Sequence, residues 1–226
     1  GQFPNFIFAR ALREALRYDN GSVFRFATHE NSILNAIIEQ LKNSTETDKE
    51  ELISFLKTIT VSKKDSAETW DGERKMIDLN KIVKDYYYNP YTKGSNSIKA
   101  VLPASLNSSD FLKNKYANCL EQINVSSKHF NGNHIWLSMK NDELVNPYKM
   151  LPPLYEGWEN DEKEETISEI DCIADGGAAL TAYAKLQYED MTEKERGEIT
   201  DGLLKYCELD TLAMVMIYEH LKELTN

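Results

Sequence analysis

Apolar residues recur at helical spacing along most of this chain, and one stretch near its start breaks into a strand-like pattern instead. Phe8 to Tyr18 sets Phe8, Leu12, Ala15 and Leu16 on one side, which predicts a helix. Asn20-Gly21 then predicts a turn. Ser22 to Ala27 reads Ser-Val-Phe-Arg-Phe-Ala, rich in β-branched and aromatic side chains, and predicts a strand. Thr28 to Asn31 ends that strand and opens a helix to about Lys42, with Ile33, Leu34, Ile37, Ile38 and Leu41 apolar. Asn43 to Asp48 is a polar linker, and Lys49 to Thr58 gives another amphipathic helix through Leu52, Ile53, Phe55 and Leu56. Trp70 to Tyr88 follows, with Met76, Ile77, Leu79, Ile82 and Val83 apolar. Within it Asp78 stands at the start of a helical run, where a carboxylate serves as N-cap.

The second half is less regular. Asn89 to Ser95 predicts a turn, and Ser97 is placed to cap a short helix that Pro103 ends. Asn107 to Ile173 is a run of Asn-, Ser- and Tyr-rich loops with Pro147, Pro152 and Pro153, expected to be at least in part a mobile surface excursion. Gly176-Gly177 predicts the start of a small-residue helix through Ala178, Ala179, Ala182 and Ala184. No strand precedes that Gly pair, so it lacks the context of a phosphate-binding loop. Thr192-Glu193-Lys194-Glu195 has the form of a capping sequence and opens the final helices.

Leu203 to Met216 is the strongest helical stretch, free of Gly and Pro and rich in Leu, Ala, Met, Lys and Glu. Tyr206 and Asp210 stand four apart and share a face, which Ala213, Met214, Ile217 and Leu221 continue. The pair therefore points inward. An inward acid needs a partner, either a neighbouring donor at the helix rim or a metal ion.

Composition narrows the class. At 226 residues with 41% hydrophobic content, the chain has material for a substantial core. Charged residues make up 28% and no long apolar run occurs, so a transmembrane helix is not expected. Cys119, Cys172 and Cys207 are scattered and odd in number, which argues against a disulfide framework and suits a reducing cytoplasm. The net charge of −11 speaks against a protein that coats nucleic acid by bulk attraction. Its distribution matters, however. Between Glu156 and Asp175 nine acids face one base, whereas between Asp71 and Lys99 six bases face four acids. The latter window holds Lys81, Lys84, Lys93 and Lys99 and is the surface best suited to a phosphate backbone, or simply a solvated helix face and loop. None of the four histidines has ligand spacing for zinc.

The string Tyr206-Cys207-Glu208-Leu209-Asp210-Thr211-Leu212-Ala213-Met214 resembles the C-terminal part of an uncharacterised bacterial domain family assigned to the DEDDy-type 3′–5′ exonucleases. Gly21-Ser22-Val23, Glu30, Asp78-Leu79, Gly94 to Lys99 with Val101-Leu102-Pro103, and Asp175 to Ala179 agree in order. The resemblance implies an α/β fold of ribonuclease-H-like type, truncated here, mostly helical and with few strands. It implies that Tyr206 orients an attacking water, that Asp210 and Glu30 hold metal, and that the metal is Mg²⁺ or Mn²⁺. Glu30 is equally an acid favoured by a helix N-terminus. Lys93 and Lys99 would contact substrate, with nucleic acid as partner. Asn107 to Ile173 would be a family-variable insertion in one domain spanning the chain. The superfamily's first motif, Asp-x-Glu on the first strand, is expected to be absent from these residues, so near-absent activity is expected of them alone. The alternative is a non-catalytic helical scaffold or partner-binding module. With its usual neighbours missing, Ser22–Ala27 is expected to be covered by another segment or to self-associate.

Overall fold

The computed structural model describes residues 3–141, 143–156, 158 and 172–225. Most of the acidic run after Glu156, and with it part of the expected insertion, lies outside the described residues. The chain is mostly helical, and it divides into two compact units, Gly1–Tyr88 and Asn89–Asn226. No described helix is long and apolar enough to cross a membrane.

In the first unit α1 (Pro4–Leu16), α2 (His29–Lys42) and α3 (Lys49–Ile59) enclose one core. Leu34, Ile37, Ile38 and Leu41 of α2 meet Leu52, Ile53, Leu56 and Ile59 of α3, with Ala9 of α1 fully buried between them. These are the positions that the helical spacing selects. The α1 helix begins earlier than its apolar pattern, because Pro4 occupies the first turn, where its missing N–H costs nothing. Arg10 fastens α1 to the α2–α3 turn, donating to Asp48 at 2.6 and 2.7 Å and also to Glu46.

The predicted strand shrinks to β1 (Phe24–Arg25) and is not left alone. It pairs in parallel with β2 (Ile77–Asp78), Phe24 opposite Ile77, so a later segment of the same unit covers it. That segment is positioned by the end of α3. A helix leaves its last carbonyls without partners. Here Arg74 N–H donates to Thr58 O at 2.9 Å, Met76 N–H to Ile59 O at 3.0 Å, and Gly72 N–H to Thr60 O at 2.9 Å. The approach is close enough that a Cβ on Gly72 would stand 2.3 Å from Thr58 O. Then α4 (Leu79–Tyr86) starts with Asp78 as N-cap, its carboxylate accepting from Lys81 N–H at 3.1 Å.

The second unit is built on a 31-residue helix. It contains α5 (Ile98–Ser108), α6 (Asp110–Tyr116), the two-residue hairpin strands β3 (Met139–Lys140) and β4 (Glu143–Leu144), α7 (Gly176–Tyr188) and the long α8 (Glu193–Glu223). Leu209, Ala213, Met216 and Ile217 of α8 are fully buried, as are Val101, Leu102 and Leu106 of α5. Thr192 caps α8 through Glu195 N–H at 3.1 Å and Asp175 caps α7 through Ala178 N–H at 2.9 Å, both at the predicted starts. Gly202 sits within the unbroken α8, where a Cβ would meet Leu154 at 2.6 Å.

Two expectations for this unit are corrected. Pro103 does not end α5, and Ser97 makes no side-chain cap. Proline removes one helical N–H, which would have reached the carbonyl four residues back. That carbonyl belongs to Lys99, and the Asn146 side chain donates to it at 3.4 Å, so the helix continues. Part of the stretch from Asn107 onward belongs to the core. Leu112, Tyr116, Leu120, Trp136 and Tyr148 are each at most 2% exposed and complete the core around α8.

Candidate functional site

The inward face of α8 carries the expected pair, and α5 brings Lys99 against it. Tyr206 is buried and Asp210 half-buried, one turn apart. Lys99 Nζ donates to the Tyr206 hydroxyl at 2.9 Å and to Ala174 O at 3.3 Å. Its ammonium lies 4.7 Å from the Tyr206 ring centre and 5.0 Å from that of Tyr148, a cation held between two aromatic faces. Tyr148 completes the group by donating its hydroxyl to Asp210 Oδ1 at 2.5 Å. It arrives on a short 3₁₀ turn, Pro147–Met150, whose first amide pairs with Asn146 Oδ1 at 3.1 Å.

Burial and charge act together on these groups. Burial, then the bond to Asp210, pushes the Tyr148 hydroxyl well above the ordinary phenol range. Burial, then the field of Asp210, does the same to Tyr206. Burial lowers the Lys99 amine, against the opposing pull of Asp210 and Asp175. Both hydroxyls therefore remain protonated donors at neutral pH. The N-terminus of α7 adjoins them, since a Cβ on Gly176 would stand 4.0 Å from the Tyr206 oxygen. Chemically the cluster offers one carboxylate, one partly desolvated amine and two O–H donors. That set suits orienting a water or holding an anionic oxygen.

Glu30 belongs to the first unit, in the first turn of α2. Its Oε1 accepts from Phe26 N–H at 3.4 Å, while Oε2 is buried without a partner. Beside it Ala27 adopts φ +83°, a left-handed backbone that alanine rarely takes. Asp78 fixes this turn, accepting from Ala27 N–H at 3.1 Å and pairing with Arg25 at 3.5 Å. Lys93 is exposed and left-handed, at the end of the 3₁₀ turn Pro90–Thr92. Among the described residues no three His, Cys, Asp or Glu side chains gather as a metal group. The letters Asp-x-Glu do occur twice outside the strands. Asp48 is tied to Arg10 and Asp71 to Lys75, the latter at 2.6 Å.

Sequence reasoning found Lys99, Tyr206 and Asp210 but missed Tyr148. A signal for it exists. Asn146-Pro147-Tyr148 repeats Asn89-Pro90-Tyr91, a recurring turn that presents a tyrosine.

Residues 1–97 match the model of a family described as "Domain of unknown function (DUF2779)". That stretch contains Glu30, Asp78 and Lys93 and stops short of Lys99, Tyr206 and Asp210. No curated protein and no solved structure matches the chain.

Proposed function

We propose that this chain contributes part of a ribonuclease-H-like, metal-dependent 3′–5′ exonuclease acting on nucleic acid in the cytoplasm. The observation that carries the reading is the inward cluster of Tyr206 and Asp210 with Lys99, three residues drawn from the resemblance and found in contact. Asp210 and Glu30 are oxygen donors, the class that Mg²⁺ and Mn²⁺ take. Each by itself is an incomplete ligand set, which is the reason for proposing a contribution rather than a whole site. The chemistry that such ions supply is activation of water and stabilisation of the leaving 3′ oxygen.

The chain's own residues do the positioning. Tyr206 accepts a hydrogen bond from Lys99 and is itself hydrogen-bonded with Asp210. Held protonated by burial, the hydroxyl stands beside the Asp210 carboxylate, where it would orient a water. Lys99 adds positive charge on the same side, and Lys93 is an exposed cation for the backbone of a longer substrate. Tyr148 orients the Asp210 carboxylate through its short bond.

That same bond favours a second reading. A carboxylate already satisfied by a buried tyrosine fulfils a structural role, as in a helical scaffold within a nuclease-associated protein. Two variants of the full-length protein separate the readings when turnover and melting temperature are measured together. Under the catalytic reading Asp210→Ala abolishes metal-dependent turnover, a loss far beyond the fall in folded fraction that breaking the Tyr148 bond causes. Tyr206→Phe then lowers kcat by roughly ten- to a thousand-fold with little change in KM. Losses of turnover that merely follow the folded fraction would sink it.

A further inference from the structure

The face of α8 turned away from Tyr206 and Asp210 stands open from Leu204 to Lys222. Leu204, Val215 and Tyr218 are 43%, 43% and 39% exposed, on a helix whose inward Leu209, Ala213, Met216 and Ile217 are fully buried. Glu208, Thr211, Val215, Tyr218 and Lys222 follow at alternating intervals of three and four, which sets them in one seam along the helix. The seam runs between two open depressions. One, of about 740 Å³, lies toward Ile123 and Val125, and the other, of about 580 Å³, lies beside Phe111 of α6. Val215 lines both, so α8 forms a ridge with a trough on either side. That relief is what a second helix packs against.

The charges along the seam are ordered. Glu208 stands seven positions before Val215 and Lys222 seven positions after it. Glu208 accepts from the Ser127 hydroxyl and from the amides of Lys128 and His129, which orient the carboxylate without removing its charge. Lys222 is exposed and, among the described residues, makes no ion pair; the nearby carboxylates of Glu219 and Glu223 are taken by Lys115 and Ser109. A second α8 laid antiparallel, about a two-fold axis beside Val215, brings each Lys222 to the other copy's Glu208. The same operation sets Thr211 beside Tyr218 and Val215 against itself. A parallel arrangement would instead put Glu208 on Glu208 and Lys222 on Lys222. The net charge of −11 repels a second copy at long range, so a contact between copies has to be balanced locally. This pairing meets that condition, with two carboxylates opposite two ammonium groups.

We infer that the outward face of α8 is the interface of an antiparallel homodimer, with Val215 at its centre and Glu208 of each copy facing Lys222 of the other. Burial of Val215, Tyr218 and the flanking apolar walls drives association, and the terminal charges set direction and register. No residue of the Tyr206–Asp210 cluster takes part, so dimerisation is independent of the nuclease reading.

Sedimentation equilibrium of the whole chain, from micromolar to submillimolar concentration, should show a reversible passage from one chain to two. Val215→Glu puts like charges on the axis and should weaken dimerisation by more than about tenfold. The position is exposed, so circular dichroism of the dilute monomer should match the parent. Lys222→Glu sets acid against Glu208 and should weaken dimerisation by roughly three- to tenfold, an effect that shrinks in high salt. Register is read by oxidation in a Cys207→Ser background. Val215→Cys should give a disulfide-linked dimer, because facing Cα atoms of packed helices come within the roughly 7 Å that a disulfide spans. Leu204→Cys should give none, since the two copies of that position stand about 33 Å apart at about 1.5 Å of rise per residue. If Val215→Glu fails to fold, the two cysteine variants decide. A chain that stays monomeric throughout, a dimer indifferent to Val215→Glu or Lys222→Glu, or cross-linking at Leu204→Cys as ready as at Val215→Cys would overturn the assignment.

Discussion

The second unit builds the same turn twice, and the two copies meet opposite fates. At Asn89-Pro90-Tyr91 and at Asn146-Pro147-Tyr148 the asparagine carboxamide accepts from the tyrosine amide, at 3.0 and 3.1 Å, and proline starts a 3₁₀ turn. Local chemistry explains both equally well. Asparagine mimics the missing backbone acceptor, and proline presets its own φ. Yet Tyr91 is 60% exposed, whereas Tyr148 is 2% exposed and bonded to Asp210. The tripeptide determines the turn, but it does not determine which way the turn's aromatic faces. That is decided by what the asparagine's second group finds. Asn89 donates to Ser108 at 2.7 Å, at the far end of α5, while Asn146 donates to Lys99 O, beside the cluster.

The sharpest way to break this comparison is to truncate both aromatics. Tyr148→Ala should cost about 3–5 kcal/mol, the range for emptying a buried aromatic site. Tyr91→Ala should stay within about 0.5 kcal/mol, as exposed substitutions do. Urea titrations of the two variants give both numbers. Equal losses would mean that the environments do not differ as described.

Removing only the hydroxyls sharpens it. Tyr148→Phe should cost about 1–3 kcal/mol by leaving Asp210 without its donor, whereas Tyr91→Phe should cost nothing measurable. The effect has a pH signature. The folded-state pKa of Tyr148 is raised above the ordinary 10.0, so the native state holds this proton longer than the unfolded chain does. Its contribution to stability is complete below pH 10.0 and is lost as pH rises beyond it. Lys99 works in the opposite sense, since a base with a depressed folded pKa favours the native state as pH climbs toward its ordinary 10.5. Melting temperature should therefore fall less steeply above about pH 10 in Tyr148→Phe than in the parent chain. An unchanged alkaline slope would show that the hydroxyl titrates normally.

The smallest difference is expected at the asparagines. Asn89→Ala and Asn146→Ala each lose one cap and one donated bond and should each cost about 1–3 kcal/mol. Similar values would confirm that the turns are locally alike, while a much larger cost at Asn146 would move the distinction into the turn itself. Chemical denaturation of the pair reads this directly.

What could be read from the letters follows the same division between local and distant causes. Helices α2, α3 and α8 stand where apolar spacing puts them, and Asp78, Asp175 and Thr192 cap helices because a side chain three residues from its amide needs no outside help. Tyr206 and Asp210 point inward as their shared face requires. Three things were hidden. The extended path after Trp70 depends on α3 carbonyls that claim Gly72, Arg74 and Met76, a demand invisible in those residues. The continuation of α5 through Pro103 depends on Asn146, and the partner of Asp210 depends on Tyr148. Asn146 stands 47 positions from Lys99 and Tyr148 stands 62 from Asp210, and sequence spacing carries no trace of such contacts.

Pro103 leaves one more mark on the molecule. By failing to offer an amide, it leaves Lys99 gripped at two points, its carbonyl by Asn146 and its amine by Tyr206 and Ala174. In mechanical language Lys99 is a rivet through three plates: the helix that carries it, the loop that seats Tyr148, and the segment that leads into α7. A load applied to either flanking plate is delivered to the ammonium head. Stiffness at that point is thus set by an absent hydrogen, and the proline acts as a fastener rather than a break.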